Sequence, residues 1–94
     1  MSARTKAPQD ITEQEVADHL VHVLSGMLEL APDVIDLDVP LSAFGVDSAT
    51  GTWLAGELER WCGVPLAPEL LLGRPSIAEV AEDVVAVLRE HPAA

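Results

Sequence analysis

Apolar residues recur every three or four positions in three stretches of this chain, a pattern typical of amphipathic helices. The first predicted helix starts at Thr12, which has capping-box spacing with Glu15, and it ends at Ala31-Pro32. We expect one face of this helix to be buried, and the apolar residues on that face are Val16, Leu20, Val23, Leu24, Met27 and Leu30.

A second helix is predicted from Ser48 to Cys62, with Gly63 as its stop signal. Its buried face is expected to contain Leu54, Leu58 and either Trp61 or Cys62. Gly51 and Gly56 lie inside this helix, and each is unfavourable there by about 1 kcal/mol relative to alanine. Either another segment packs closely against these glycines or the helix is soft, and the sequence leaves both readings open.

The last long helix is predicted to begin at Ser76, which repeats the capping-box spacing with Glu79. Its buried face is expected to contain Ile77, Val80, Ala81, Val84 and Leu88. A shorter helix is predicted just before it, from Pro68 to Leu72, with Gly73 as its end.

A long connection, residues 31–47, separates the first two helices, and its apolar residues are expected to plug the core: Val34, Ile35, Leu37, Val39 and Leu41. No stretch has the pattern of a strand. We therefore predict an all-α fold, a small four-helix bundle with three long helices, one short third helix and a long loop between helices 1 and 2. Residues 1–10 and 91–94 lack periodicity, so we expect a flexible N-terminal segment and tail around a domain at 11–90.

Charge narrows the choice of partners. The chain has 94 residues and a net charge of −11, from 16 acidic and 5 basic residues. Such a surface disfavours nucleic acid, whose phosphates require Lys and Arg. It suits partners with basic docking patches, although solubility alone would also account for it. Asp33, Asp36 and Asp38 lack EF-hand spacing and are expected to form a solvated acidic loop.

Several other classes of site and location are disfavoured. The single cysteine, Cys62, excludes an internal disulfide and is expected to be a small buried residue. No apolar stretch is long enough to span a membrane, and the N-terminus lacks a secretory core, so we expect a cytoplasmic monomer. His19 and His22 have a spacing that could hold a metal, but ordinary helix-surface histidines are the favoured reading, and no metal site is predicted.

Ser48 is the most informative residue of the chain. It follows Gly45-Val46-Asp47 and begins the second predicted helix, where free N–H groups and the helix dipole favour a negatively charged group. The nucleophile-elbow pattern Gly-x-Ser-x-Gly is absent, and no histidine (His19, His22 or His91) is placed as a base. A serine displayed for modification therefore fits better than a serine that attacks a substrate.

The stretch from Phe44 to Val84 resembles an acyl carrier protein domain of the polyketide synthase type. Gly45-Val46-Asp47-Ser48 is similar to that family's attachment motif, and Gly73-Arg74-Pro75-Ser76-Ile77 to the start of its last helix. With the order of the helices, the resemblance extends over residues 11–89. It implies a carrier rather than an enzyme, with 4′-phosphopantetheine attached to Ser48 from coenzyme A by a phosphopantetheinyl transferase.

The resemblance also implies a cargo and further partners. The thiol of the arm would carry a polyketide or fatty acyl thioester, in antibiotic or fatty acid biosynthesis, to a ketosynthase, an acyltransferase or an acyl ligase. Asp47 is similar to the residue before the family's serine, where peptide synthetase carriers more often have histidine. A peptidyl or aminoacyl carrier is the nearer alternative, and a non-carrying acidic helical adaptor is the more distant one.

Two departures from the family pattern affect the expected recognition face. Ala49 replaces the usual leucine after the serine, and the acids of the second helix come late, at Glu57 and Glu59. We expect Asp47, Ala49, Trp53 and Glu57 to be read by partner enzymes, with Trp53 either an exposed anchor or folded over its own loop. Trp61 is expected to be core or half-core, and the walls of a groove beside the arm to be Val46, Leu54, Leu66 and Leu71.

Overall fold

The computed structural model describes residues 7–72 and 75–90. These residues form three α-helices: α1 (Glu13–Leu28), α2 (Ser48–Cys62) and α3 (Ile77–Arg89). Short 3-10 turns lie at Pro8–Asp10, Pro32–Val34, Leu41–Phe44 and Pro68–Leu70. The described part of the chain has no β-strand, only an isolated antiparallel bridge between Pro40 and Ser76. The expectations for residues 1–6, Gly73-Arg74 and 91–94 lie outside the described residues.

The structure confirms the capping boxes predicted at the starts of α1 and α3. The Thr12 hydroxyl accepts from the Glu15 N–H at 3.2 Å, and the Glu15 carboxylate accepts from the Thr12 N–H at 2.9 Å. Ser76 and Glu79 make the same reciprocal pair at the start of α3. In each box, two N–H groups that no helical carbonyl could reach are satisfied by side chains.

The end of α1 differs from the prediction. The helix ends at Leu28, and Glu29 takes the left-handed conformation with φ 58°, so the chain leaves the helix before Ala31-Pro32. Met27 and Leu30, expected on the buried face, are exposed, and Val23 is only partly buried. The apolar stripe turns away from the core in this last turn and no other segment of the described chain covers it.

The core is formed mainly by α1, α2 and α3, and α1 packs most extensively on α3. The side chains that are fully or almost fully buried in the helices include Val16, Leu20, Leu24, Leu54, Leu58, Cys62, Ile77, Val80, Val84 and Leu88. Cys62 is buried as expected, and Trp61 is half-buried against the core. Pro8–Asp10 contacts α3, so this turn closes one end of the bundle.

The long connection is held to the start of α3. The Leu41 N–H donates to the Pro75 carbonyl at 2.9 Å, and the Ala78 N–H donates to the Leu37 carbonyl at 3.1 Å. Ile35 and Leu41 are buried as predicted, whereas Val34 is exposed. These bonds satisfy backbone groups that would otherwise lie unpaired beside the core.

A three-residue 3-10 turn, Pro68–Leu70, stands in place of the predicted short third helix. Val64 and Leu66 before this 3-10 turn and Leu71 after it are all buried in the core, and the backbone on both sides of the turn is irregular. The expected four-helix bundle is therefore not confirmed, and the described residues form an all-helical domain with three α-helices. Among these residues, no helix is both long and apolar enough to cross a membrane.

Candidate functional site

Ser48 is the first residue of α2, and its side chain is exposed. The turn before it is fixed by Gly45, whose φ of 85° strongly favours glycine, and by the Val46 N–H, which donates to the Leu41 carbonyl at 3.3 Å. Val46 is buried and anchors the turn. The fold therefore presents the Ser48 hydroxyl to solvent at the N-terminus of a 15-residue helix.

Asp47 caps α2. Its Oδ1 accepts from the Thr50 N–H at 2.9 Å, and this hydrogen bond is the main reason why the pKa of Asp47 lies below its ordinary value. The carboxylate therefore stays ionised at neutral pH and holds the first turn of the helix in place. The helix-cap reading of Asp47 is confirmed in the geometry.

A cavity of about 230 Å³ lies directly beside Ser48. It is lined by Val46, Asp47, Ser48, Leu71 and Leu72. Of the expected groove walls, Val46 and Leu71 are present, but the prediction for Leu54 and Leu66 is wrong. Both of these leucines are buried in the core and are not among the residues that line this cavity.

Gly51 allows the segment after Pro68–Leu70 to approach this cavity. A Cβ at Gly51 would lie 2.9 Å from Leu72 Cδ2 and 3.4 Å from the Leu71 carbonyl oxygen. No atom lies within 4 Å of a Cβ placed at Gly56. Close packing therefore explains Gly51 and does not explain Gly56.

A second hollow, of about 250 Å³, lies on the other side of α2. We call it the α1–α2 cleft, and its lining residues are Met27, Ala49, Thr50 and Trp53. Trp53 is 47% exposed, so of its two expected placements the exposed one is observed. Ala49 and Trp53 thus lie together in this cleft, separate from the cavity that Asp47 and Ser48 line.

Residues 18–84 match the family model described as "Phosphopantetheine attachment site". The protein belongs to this family of carriers. Its members hold 4′-phosphopantetheine covalently and are not catalysts, so the protein is an acyl or peptidyl carrier and not an enzyme. The family match therefore argues against the alternative of a non-carrying adaptor. Carriers of this kind interact with phosphopantetheinyl transferases and with acyl-handling enzymes.

Individual relatives support the same assignment. The chain is 29% identical to the acyl carrier protein TtuC of Teredinibacter turnerae over 76 residues, which cover 81% of this chain and 87% of that protein. A free-standing peptidyl carrier protein of an Acinetobacter baumannii secondary metabolic pathway superposes with a TM-score of 0.73 and 26% identity, over 82% of this chain and 96% of that one. An acyl carrier protein of Anabaena sp. PCC 7120 with a variant phosphopantetheinylation-site sequence superposes with a TM-score of 0.75 and 25% identity. The match covers 93% of this chain and 99% of that one.

The late acids of α2 in this carrier are engaged within the chain. Glu57 forms an ion pair with Arg60 one turn away, and the Glu57 side chain is 27% exposed. Glu59 Oε2 accepts from the Leu66 N–H at 2.7 Å and ties the following loop to the helix. Glu57 therefore presents an ion pair with Arg60 instead of a free charge.

His19 is not the surface residue that the sequence predicted. Its ring stacks on Trp61 with the centroids 4.7 Å apart and an angle of 10° between the planes, and its buried Nε2 has no hydrogen-bond partner among the described residues. Burial, followed by the positive potential of His22, lowers the pKa of His19, while Glu57 opposes the shift. Among residues 7–72 and 75–90, no three His, Cys, Asp or Glu side chains are grouped to hold a metal ion.

Three residues of these hollows were missed by sequence reasoning. Leu72 was assigned to a short helix but lines the cavity beside Ser48, Met27 was assigned to the core but lines the α1–α2 cleft, and Thr50 of the same cleft was not predicted as a site residue. Met27 continues the apolar stripe of α1, so its spacing gave no signal that it is exposed. No sequence signal placed Leu72 beside Ser48.

Proposed function

We propose that Ser48 is the attachment residue and that the protein carries polyketide or fatty acyl intermediates as thioesters on its arm. The observation that carries this proposal is the exposed Ser48 hydroxyl at the first position of α2, inside the segment that matches the family. In the attachment step the Ser48 oxygen forms a P–O bond with the phosphopantetheine phosphorus. The phosphoanhydride bond of coenzyme A breaks, adenosine 3′,5′-bisphosphate leaves, and the transferase accepts the hydroxyl proton.

The residues around Ser48 fit such a group. The N-terminus of α2 favours the phosphodiester anion, typically by about 0.3–1 kcal/mol where exposed. Asp47 fixes the first turn through Thr50, so the backbone that carries the Ser48 hydroxyl is held in place before modification. Val46, Leu71 and Leu72 offer apolar contacts to the part of the arm nearest the serine.

Peptide mapping tests the assignment to Ser48. Trypsin cleaves after Lys6 and Arg60 and has no site between them, so one peptide contains Ser25, Ser42 and Ser48. After incubation with coenzyme A and a broad-specificity phosphopantetheinyl transferase, fragmentation of this peptide should place one phosphopantetheine on Ser48. A modified peptide whose fragments place the group on another residue would contradict the proposal.

The face read by partner enzymes is proposed to include Asp47, Ala49, Trp53 and Glu57. Its support is placement, because the first three lie within two turns of Ser48 and Trp53 is exposed. The ion pair between Glu57 and Arg60 makes this face less charged than the total of 16 acidic residues suggests. A monomeric state and a cytoplasmic location belong to the same proposal, since coenzyme A is an intracellular donor.

The class of cargo separates the proposal from its alternative. Asp47 before the serine supports an acyl cargo, while the fold likeness to a peptidyl carrier protein keeps the peptidyl reading open. The holo-protein is offered in parallel to an acyl-CoA-dependent acyltransferase and to an amino acid-adenylating enzyme with ATP. We expect a mass gain of one acyl group in the first reaction. Loading by the adenylating enzyme alone would support the peptidyl carrier instead.

A further inference from the structure

We propose that the α1–α2 cleft receives an apolar side chain of the phosphopantetheinyl transferase, which makes Met27 of α1 a recognition residue together with Trp53 of α2. The inference rests on the proposed function, because it takes Ser48 as the residue that the transferase must reach. It extends the recognition face from one helix to two and specifies the chemistry of the contact.

The first argument is the distribution of exposed apolar side chains. In the part of the chain that the structure describes, the large exposed hydrophobic residues are Met27, Leu30, Val34 and Trp53. None of them lies on α3. Met27 is 38% exposed and Trp53 is 47% exposed, and both residues line the same hollow. Tryptophan and methionine are both enriched where proteins bind one another.

The second argument is the position of the cleft. Ala49, which forms part of its wall, directly follows Ser48 in the first turn of α2. An enzyme that brings its reacting groups to the Ser48 hydroxyl therefore comes into contact with this wall. The small side chain of Ala49 leaves room between Met27 and Trp53 for a side chain of the enzyme.

The third argument is charge. All four lining residues are uncharged, in a chain with 16 acidic residues. Two acids of α2 are engaged within the chain, since Asp47 accepts from the Thr50 N–H and Glu57 is paired with Arg60. No carboxylate lines the cleft, so a basic side chain would have no partner among the lining residues, whereas an apolar side chain such as leucine, methionine or phenylalanine would exclude water from it. Binding through the cleft should therefore depend little on salt.

The test measures the kinetics of modification by a broad-specificity phosphopantetheinyl transferase with saturating coenzyme A. The carriers compared are wild type, Trp53→Ala, Met27→Ala and Val34→Ala, the last being a matched control that removes an exposed apolar residue outside the cleft. We expect KM for the carrier to rise about tenfold in Trp53→Ala and severalfold in Met27→Ala, with kcat little changed. The increase should persist at high salt, and Trp53→Phe should recover most of the affinity.

Two outcomes would overturn the proposal: a KM for Met27→Ala and Trp53→Ala equal to that of Val34→Ala, or a loss that disappears at high salt. Circular dichroism confirms that each variant is folded. The proposed function fails separately, if folded wild-type carrier is not modified or if Ser48→Ala is still modified. Normal modification of wild type with unaffected cleft variants contradicts the cleft proposal alone.

Discussion

At the scale of single residues, His19 is the side chain whose environment differs most from its sequence expectation. It lies on α1 but contacts Trp61 on α2, so its ring belongs to the packing between the two helices. Its buried Nε2 has no partner in the described structure, and burial disfavours the imidazolium form. The neutral form is therefore the one that suits the folded state.

The lowered pKa of His19 predicts that stability falls on mild acidification. Below the unfolded-state pKa of about 6.5, the unfolded chain binds a proton that the folded chain excludes, so the free energy of unfolding decreases as pH falls. We expect His19→Phe, which keeps an aromatic ring against Trp61, to reduce the dependence of stability on pH between about 7.5 and 5.5.

Urea unfolding at several pH values measures this effect. His22→Gln changes an exposed histidine of the same helix and is the matched control, which should keep most of the pH dependence because His19 is retained. An unchanged pH dependence in His19→Phe would show that other groups determine it.

At the scale of elements, α2 combines a functional N-terminus with two glycines that have different surroundings. Gly51 lies against Leu71 and Leu72, which form one side of the cavity beside Ser48, and a Cβ at this position would make the end of the Leu72 side chain shift. Gly56 has no neighbour within 4 Å of an added Cβ and does not have a positive φ. Glycine therefore weakens α2 at position 56 without a packing reason. At position 51 the same loss of helix stability comes with space for Leu72, which lines the cavity beside Ser48.

This contrast predicts effects of different size for the same substitution at the two positions. Gly56→Ala should raise the free energy of unfolding by about 0.5–1 kcal/mol, because alanine favours the helix and meets no obstacle. Gly51→Ala should give less of this gain, since its Cβ would lie 2.9 Å from Leu72 Cδ2 and the end of that side chain must shift. Thermal or urea unfolding of the two variants provides the comparison. Equal stabilisation at both positions would contradict the packing account of Gly51.

At the scale of the whole molecule, local sequence signals predicted much of the fold. The features that were not predicted depend on contacts between segments that are distant in sequence. Thr12 with Glu15, and Ser76 with Glu79, placed two helix starts because both partners lie within one turn. The burial of Met27 was predicted wrongly, since a stripe does not reveal whether another segment covers its end. The cavity beside Ser48 depends on Leu71 and Leu72 crossing Gly51, an approach that spacing along the chain does not encode.

The central claim is that this carrier receives its arm at Ser48, and the mass of the intact protein tests it most directly. Wild type, Ser48→Ala and Ser42→Ala are incubated with coenzyme A and the transferase, where Ser42 is an exposed serine in the preceding 3-10 turn and serves as the matched control. We predict a gain of one phosphopantetheine in wild type and Ser42→Ala and no gain in Ser48→Ala. A gain in folded Ser48→Ala, or no gain in wild type, would contradict the account.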